Sequence, residues 1–428
     1  ISVDDLRYCS GGMQPCALNA IYQHLRDLEA RHNYIVDLLL MCGDFQAIRN
    51  HRDMQCMAVP QKYRQLGDFH KTAPVLTIVI GGNHEASNYM SELNDFSLGF
   101  YERLPYDHGT MRSIYHIREF NVRRLSLLSS LDIFLSHDWP QYIERHGDTQ
   151  GLLCRKPFFR QDVQTGNLGS PPLMGLLRTL KPKWWFSAHL HVRFQATVQH
   201  EQTGTGSNSL PMTSPPQNPD EIAIADDDFD AVESQNPPIE YSRLQTTSHN
   251  PDQITLEEEV TQLPPIACRP QPSMTNFLAL DKCLPNREFM EVCHRCAYTS
   301  DESTMPGQRC VPKLTFDPEW LAISRAFHPF FSTRRRQADY PNEATARAMS
   351  NVRNNEVDSS GVPLPGIRTI LDCQTFVQSA PGPGSEGAQK NQQPPWYTNP
   401  QTTVFCDMLD IQNVMISLRT IGPKKLSR

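Results

Sequence analysis

Four short apolar runs, each ending in polar residues of a similar kind, mark the first half of the chain. Residues 35–41 (IVDLLLM) lead into Cys42-Gly43-Asp44, and residues 75–80 (VLTIVI) lead into Gly81-Gly82-Asn83-His84-Glu85. Residues 131–135 (LDIFL) lead into Ser136-His137-Asp138, and residues 184–188 (WWFSA) into His189-Leu190-His191. Continuous apolar runs of this length, bounded by turn residues, predict strands buried on both faces, as in a sheet covered by helices. A 3–4 spacing of Leu18, Ile21, Tyr22, Leu25 and Leu28 predicts an amphipathic helix over 16–31. A similar pattern over 172–180 stops at Lys181-Pro182, just ahead of the fourth run. The alternation is that of an α/β fold.

In open α/β sheets, ligands collect at the carboxyl ends of the strands. Four strand tips therefore offer Asp44, Asn83, His137, His189 and His191 to one cleft. Mixed Asp, Asn and His ligation suits divalent ions such as Zn, Mn or Fe(II), and one carboxylate shared by two ions makes a clamp for phosphate-ester hydrolysis. His84 can donate a proton and Glu85 can orient its neighbours. Each residue also has a plainer account. A histidine after a strand is commonly a satisfied turn residue, and Asp44 after Gly43 can be a turn or cap residue. His189-x-His191 alternates along an extended chain, so the two rings can face opposite ways.

The wording around these residues resembles the calcineurin-like metallophosphoesterases, and within them the RNA lariat debranching enzymes. The resemblance rests on residues 42–47 (CGDFQA), 57–63 (MAVPQKY), 81–89 (GGNHEASNY) and 112–116 (RSIYH). It continues through 134–140 (FLSHDWP), 185–191 (WFSAHLH) and 277–285 (FLALDKCLP), with a shorter match near Asp317-Pro318-Glu319-Trp320-Leu321. It implies an α/β metallophosphoesterase-type β-sandwich flanked by helices, acting on the 2′–5′ phosphodiester at the branch point of excised intron lariats in mRNA processing. Asp44 would bridge one or two divalent ions (Fe(II), Zn or Mn). Asn83, His137 and His189 would complete one pocket, and His191 would serve the other. His84 would protonate the leaving 2′ oxygen. Residues 100–116 resemble the lariat-recognition loop, where Tyr106 and Arg112 are candidate RNA contacts. Branched intron RNA is the implied partner and the nucleus the implied location.

The chain departs from the family pattern twice. The family opens with a strand ending in Cys-x-His, whereas the first histidine here is His24, and neither Cys9 nor Cys16 is followed by histidine two residues later. About two strands expected after Tyr89 also have no counterpart. A phosphoprotein phosphatase shares Gly-Asn-His-Glu but not the 134–140 or 185–191 wording. A relative that binds RNA, or acts as an adaptor, with impaired catalysis is the reading from another class.

Composition sets the boundaries. With 34 prolines among 428 residues and a hydrophobic share of 39%, not all of the chain is expected to fold. Residues 1–199 read as the catalytic domain, and 200–273 as a disordered acidic and polar insertion able to bind splicing-related proteins. Residues 274–350 read as a debranching-type C-terminal region, and 351–428 as a mostly disordered tail. The net charge of −7 belongs to the insertion. Residues 1–199 hold 21 Lys and Arg against 19 Asp and Glu, while 200–300 hold 5 against 16. Arg112, Arg118, Arg123, Arg124, Arg155, Lys156 and Arg160 can meet phosphates or form a solvated face, and Tyr101, Tyr106 and Tyr115 can stack on bases or pack. The 12 cysteines come with no signal-peptide pattern, and reduced thiols are expected. Cys293-x-x-Cys296 with Cys283 and Cys310 has zinc-like pieces but irregular spacing. Arg334-Arg335-Arg336 and Lys424-Lys425 are weak nuclear-import motifs, and no apolar stretch is long enough to span a membrane.

Overall fold

A computed structural model of the chain describes residues 8–11, 18–59, 73–92, 110–200, 274–293, 314–332, 339–354 and 369–414. The chain divides into a unit of residues 1–203 with 269–428 and a second of 204–268, which lies wholly outside the described residues.

The first unit is built on two four-stranded sheets. One has the order β3-β2-β1-β8, with β1 (Tyr8–Gly11), β2 (Leu38–Met41) and β3 (Leu76–Val79) parallel and β8 (Met290–Cys293) antiparallel to β1. The other has the order β4-β5-β7-β6, from β4 (Ile133–Leu135), β5 (Trp184–Ser187), β6 (Phe194–Gln199) and β7 (Met274–Ala279), and only β6 runs antiparallel to its neighbour. The period of two along β2 sorts its side chains. Leu38, Leu40 and Cys42 meet Phe186, Ala188, Leu278 and Leu280 of the facing sheet. Leu39 and Met41 point the other way, onto Ile21, Tyr22 and Leu25 of α1 (Leu18–His32). Truncating one such leucine to alanine costs about 2–5 kcal/mol.

The four predicted strands are present at their expected places, as are the helices α1 and α6 (Pro171–Leu180). β3 differs in one respect. It is the sheet edge, so Val79 is exposed rather than covered on both faces. Between β3 and β4 the described residues hold α2 (Ser87–Glu92), a 3-10 turn (Thr110–Tyr115) and α3 (Glu119–Leu125), but no strand.

An opening strand is present: β1 lies between β2 and β8, with Gly11 opposite both Met41 and Met290. Residues 274–293, where the expected C-terminal region starts, supply β7 to one sheet and β8 to the other. Residues 369–414, expected as tail, take defined structure. They include a helix, Pro400–Met408, whose Asn399 accepts from the Gln401 amide at 3.0 Å as an N-cap, and Cys406 and Leu409 are buried.

Elsewhere, α7 (Pro318–Phe327) and α8 (Glu343–Asn354) bury Ile323, Phe327 and Ala346 against Phe120 and Leu127. Cys283 packs on the α1 side of the first sheet and Cys293 within the sandwich. Burial pushes these thiols up to about 11 and about 12, as fits packed rather than ligating sulfur. Cys296, Cys310, Arg334-Arg335-Arg336, Lys424-Lys425, the insertion, Tyr101 and Tyr106 lie outside the described residues. No helix among the described residues is long and apolar enough to cross a membrane.

Candidate metal centre at the strand tips

Where β2, β3, β4 and β5 end, the chain must turn sharply while aiming polar side chains at one point. Asp44, Gln46, His189 and His191 all take left-handed backbone, with φ of 57°, 54°, 59° and 51°. Each such residue costs about 1–3 kcal/mol, so the surrounding structure must hold it in place. Glycine is required at two positions. Gly43 has φ 93°, and a Cβ there would strike His137 Nδ1. A Cβ on Gly82 would strike the amide and Oδ1 of Asp44 and lie 2.9 Å from His137 Cε1.

Buried hydrogen bonds lock these tips together. Glu85 accepts from the amides of Phe45 (2.7 Å), Ala47 (2.5 Å) and Gly82 (3.2 Å), tying the loop after β2 to the loop after β3. Burial pushes its carboxyl up to about 8; the amide donors pull the other way and the Asp44 charge adds to the rise. The Trp139 indole donates to the Ala188 carbonyl (2.9 Å), and the Ala188 amide to the His137 carbonyl (3.1 Å). Trp185 donates to Ser136 Oγ at 2.8 Å. The 134–140 and 185–191 segments are therefore one unit, and they fix His137 against His189.

Four side chains meet at the centre. His137 Nε2 lies 2.8 Å from Asn83 Oδ1, 3.1 Å from His189 Nδ1 and 3.4 Å from Asp44 Oδ1, and His189 Nδ1 is 3.2 Å from Asn83 Oδ1. His137 Nδ1 donates to the Cys42 carbonyl at 2.7 Å, so a neutral ring presents its Nε2 lone pair to these acceptors. Lone pairs and a carboxylate facing one another without a proton between them are repulsive unless a cation joins them. Ligands ~2.1 Å from a tetrahedral ion stand ~3.4 Å apart, close to these spacings. Counting His, Cys, Asp and Glu alone, no group of three among the described residues is set to hold an ion. The neutral Asn83 oxygen is the donor around which the others gather.

Charge follows the same geometry. Burial works against ionised Asp44, but His137, His84, His191 and His189 hold its carboxyl well below the usual range. Burial and the neighbouring His137 drive His189 far down. Burial, then Lys282, bring His191 to about 3.

The second oxygen of Asp44 faces elsewhere. Asp44 Oδ2 is 3.7 Å from His84 Nδ1, while Asp44 Oδ1 accepts from the His84 amide at 3.1 Å. His191 lies within electrostatic reach of Lys282, Asp44, His84 and His137. Every strand-tip residue named from the sequence is thus brought to one place. His24 is not part of it, its ring lying 4.9 Å from Phe289.

Of the two RNA candidates, Tyr106 lies outside the described residues, and Arg112 is placed in the 3-10 turn Thr110–Tyr115. Tyr115 lies against the centre, its ring 5.4 Å from His137 and 5.1 Å from His189. Lys282 was missed, although a signal existed: residues 277–280 are a fifth apolar run that ends in Asp281-Lys282.

A sandwich of two mixed sheets with Asp, Asn and His acceptors converging at its strand tips defines a metallophosphoesterase, and the family model for calcineurin-like phosphoesterases matches residues 14–193. The model for the lariat debranching enzyme C-terminal domain matches residues 272–414. The chain is 34% identical to the lariat debranching enzyme of Schizosaccharomyces pombe, over 92% of this chain and 94% of that one. It is 34% identical to lariat debranching enzyme A of Xenopus laevis (94% and 70%) and 32% identical to the Homo sapiens enzyme (94% and 68%). The chain belongs to the lariat debranching enzyme family. Membership of the calcineurin-like superfamily implies divalent metal ions.

Proposed function

We propose that this chain hydrolyses the 2′–5′ phosphodiester at the branch point of intron lariats. The observation that carries the reading is the convergence of Asp44, Asn83, His137 and His189 acceptor atoms, with His84 on the other oxygen of Asp44. Asp44 Oδ1, Asn83, His137 and His189 would hold one divalent ion, with Asp44 Oδ2 and His191 facing a second. Fe(II), Zn or Mn bound there supplies Lewis-acid polarisation of the phosphate and a more acidic water.

The chain's own residues do the rest. Water adds its oxygen to phosphorus and sheds a proton to solvent, the bond to the 2′ oxygen breaks, and that oxygen takes a proton from His84, which recovers one from solvent, leaving a 2′ hydroxyl and a 5′ phosphate. Asp44 orients the His84 ring through Nδ1, which leaves Nε2 on the far edge for this transfer. The Tyr115 ring covers His137 and His189 and keeps bulk water from that side. Arg112 and Tyr106 contact the RNA beside the branch. The chain acts in the nucleus, where its substrate is made, with splicing-related partners engaged through the polar insertion.

The test is cleavage of a synthetic branched RNA with added Mn or Fe(II), beside His84→Ala. Cleavage is expected for the unaltered chain, and a loss of about 10²–10⁴-fold in the variant with metal content unchanged. Absence of cleavage by the unaltered chain overturns the proposal.

A further inference from the structure

We propose that the exposed ring of Phe158, flanked by Arg155, Lys156 and Arg160, is a stacking platform for an unpaired base of the RNA leading away from the branch. The inference rests on the debranching reading for its ligand. It names a contact outside the cluster that does the chemistry.

A lone exposed phenylalanine is ordinary on a protein surface. Three observations set this one apart. The first is local geometry. Pro157 opens a 3-10 turn, Pro157–Phe159, in which successive side chains point about 120° apart. Phe159 is 2% exposed while Phe158 is 46% exposed, its ring braced edge-on against Phe159 at 4.5 Å. The ring is therefore backed by Phe159 and about half open to solvent, with Lys156 Nζ over its face.

The second is charge. Residues 149–165 carry Arg155, Lys156 and Arg160 against the single acid Asp162. Lys156 Nζ stands 5.5 Å from the Phe158 ring centre, and Arg160 is exposed at the start of α5 (Arg160–Thr165). An aromatic face among cations is how single strands are gripped without sequence preference: bases stack on the ring and phosphates meet the charges.

The third is position. Arg155, the last residue of α4 (Thr149–Arg155), donates from Nη2 to the Arg193 carbonyl at 3.2 Å. Arg193 is two residues beyond His191, at most ~8 Å along the backbone. A stacked strand advances ~3.4 Å per nucleotide, so an RNA arm leaving the cluster along the Arg193–Arg155 contact would reach this ring within several nucleotides.

The experiment measures fluorescence anisotropy of the full chain with two branched RNAs, one with minimal arms and one with extended single-stranded arms. Phe158→Ala is expected to weaken the long-armed RNA about tenfold, the loss of one stacked base, and to leave the minimal RNA unchanged. Phe158→Tyr is expected to restore binding. Lys156→Gln should lower the salt dependence for the long-armed RNA by about 0.7 in the log–log slope. Equal affinities in the unaltered chain and Phe158→Ala, equal losses on both RNAs, or no RNA binding at all would each overturn the platform. Cleavage is scored separately. RNA that is bound but never cut by the unaltered chain sinks the debranching reading and leaves the binding comparison to judge Phe158.

Discussion

Asp53→Ala should destabilise this protein more than most single changes, although Asp53 touches no candidate ligand. Its carboxylate is fully buried and accepts from the Arg49 amide (2.9 Å), Arg49 Nε (2.8 Å), Arg49 Nη2 (3.1 Å) and Asn88 Nδ2 (2.7 Å). The Arg49 side chain is only 10% exposed, and its guanidinium lies over the rings of Tyr89 at 4.2 Å and Tyr397 at 5.1 Å. Removing the carboxylate leaves a buried cation without its counter-charge, a loss of about 3–5 kcal/mol. The two rings and the Arg49–Ser379 hydrogen bond remain, which places the value near 3 kcal/mol, or a melting temperature lower by about 6 °C. Tryptophan fluorescence on heating reads the shift. The double change Arg49→Met with Asp53→Leu should cost less than Asp53→Ala alone, because it removes the charge together with its partner. A drop under about 2 °C for Asp53→Ala, or a double variant as unstable as the single one, would refute the reasoning.

Other outcomes follow from the same geometry. Gly82→Ala should lower metal affinity about 10–100-fold in a calorimetric titration, since its Cβ displaces Asp44 and crowds His137; unchanged affinity would count against the cluster as the ion's seat. Added Mn should stabilise the unaltered chain by about 2.7 kcal/mol at a hundredfold excess over Kd, read as a higher melting temperature, and should do little for His137→Ala. Acid should loosen the contact between residues 49–52 and the C-terminal segment. Burial of Glu386 opposes its charge, but hydrogen bonds from His51 and Gly384 bring its carboxyl from an ordinary 4.5 to about 2. A depressed carboxyl contributes stability that is full above about pH 4.5 and fades as pH falls toward 2, so Glu386→Gln should flatten the acid limb of melting temperature against pH.

What could be read from the chain alone depended on how each element is stabilised. β2, β4 and β5 announce themselves because packing makes them, and packing demands the apolar residues that the eye finds. Their tips were legible for the same reason, as polar residues just past such runs have few places to go. β1 has no such signature. Tyr8-Cys9-Ser10-Gly11 is a strand because β2 and β8 pair with it on either side, a condition set by residues far along the chain. Lys282 follows an apolar run of the same kind, residues 277–280 at the end of β7, so the same physical signal marks its place. Composition misled most at 369–414. Proline and glycine lower the capacity to build an apolar core, but this segment docks by polar contacts. Asn50 donates to the Pro381 carbonyl (3.1 Å), Arg52 to Gln389 (3.0 Å) and to the Gln393 carbonyl (2.7 Å), and the His51 amide to Glu386 (2.8 Å). Hydropathy does not register such partners.

That docking changes what the C-terminal residues are for. Glu85 ties the loop carrying Asp44 to the loop carrying Asn83 and His84, and Asp53 ties the continuation of the first loop to Asn88 on α2. Residues 378–397 close over the outer side of the same loop through Arg49, Asn50, His51 and Arg52. The left-handed conformations of Asp44 and Gln46 therefore sit inside a loop fastened at both ends and from outside. Strain of about 1–3 kcal/mol per residue persists only where neighbours outweigh it, and here part of the outweighing comes from sequence more than 300 residues away. The debranching C-terminal match begins at 272 and so takes in β7 and β8, which belong to the sheets. Cutting the chain at that boundary would remove a strand from each sheet and the fastening of the Asp44 loop together. The residues on either side of that boundary belong to one compact unit, and the candidate metal centre draws on both.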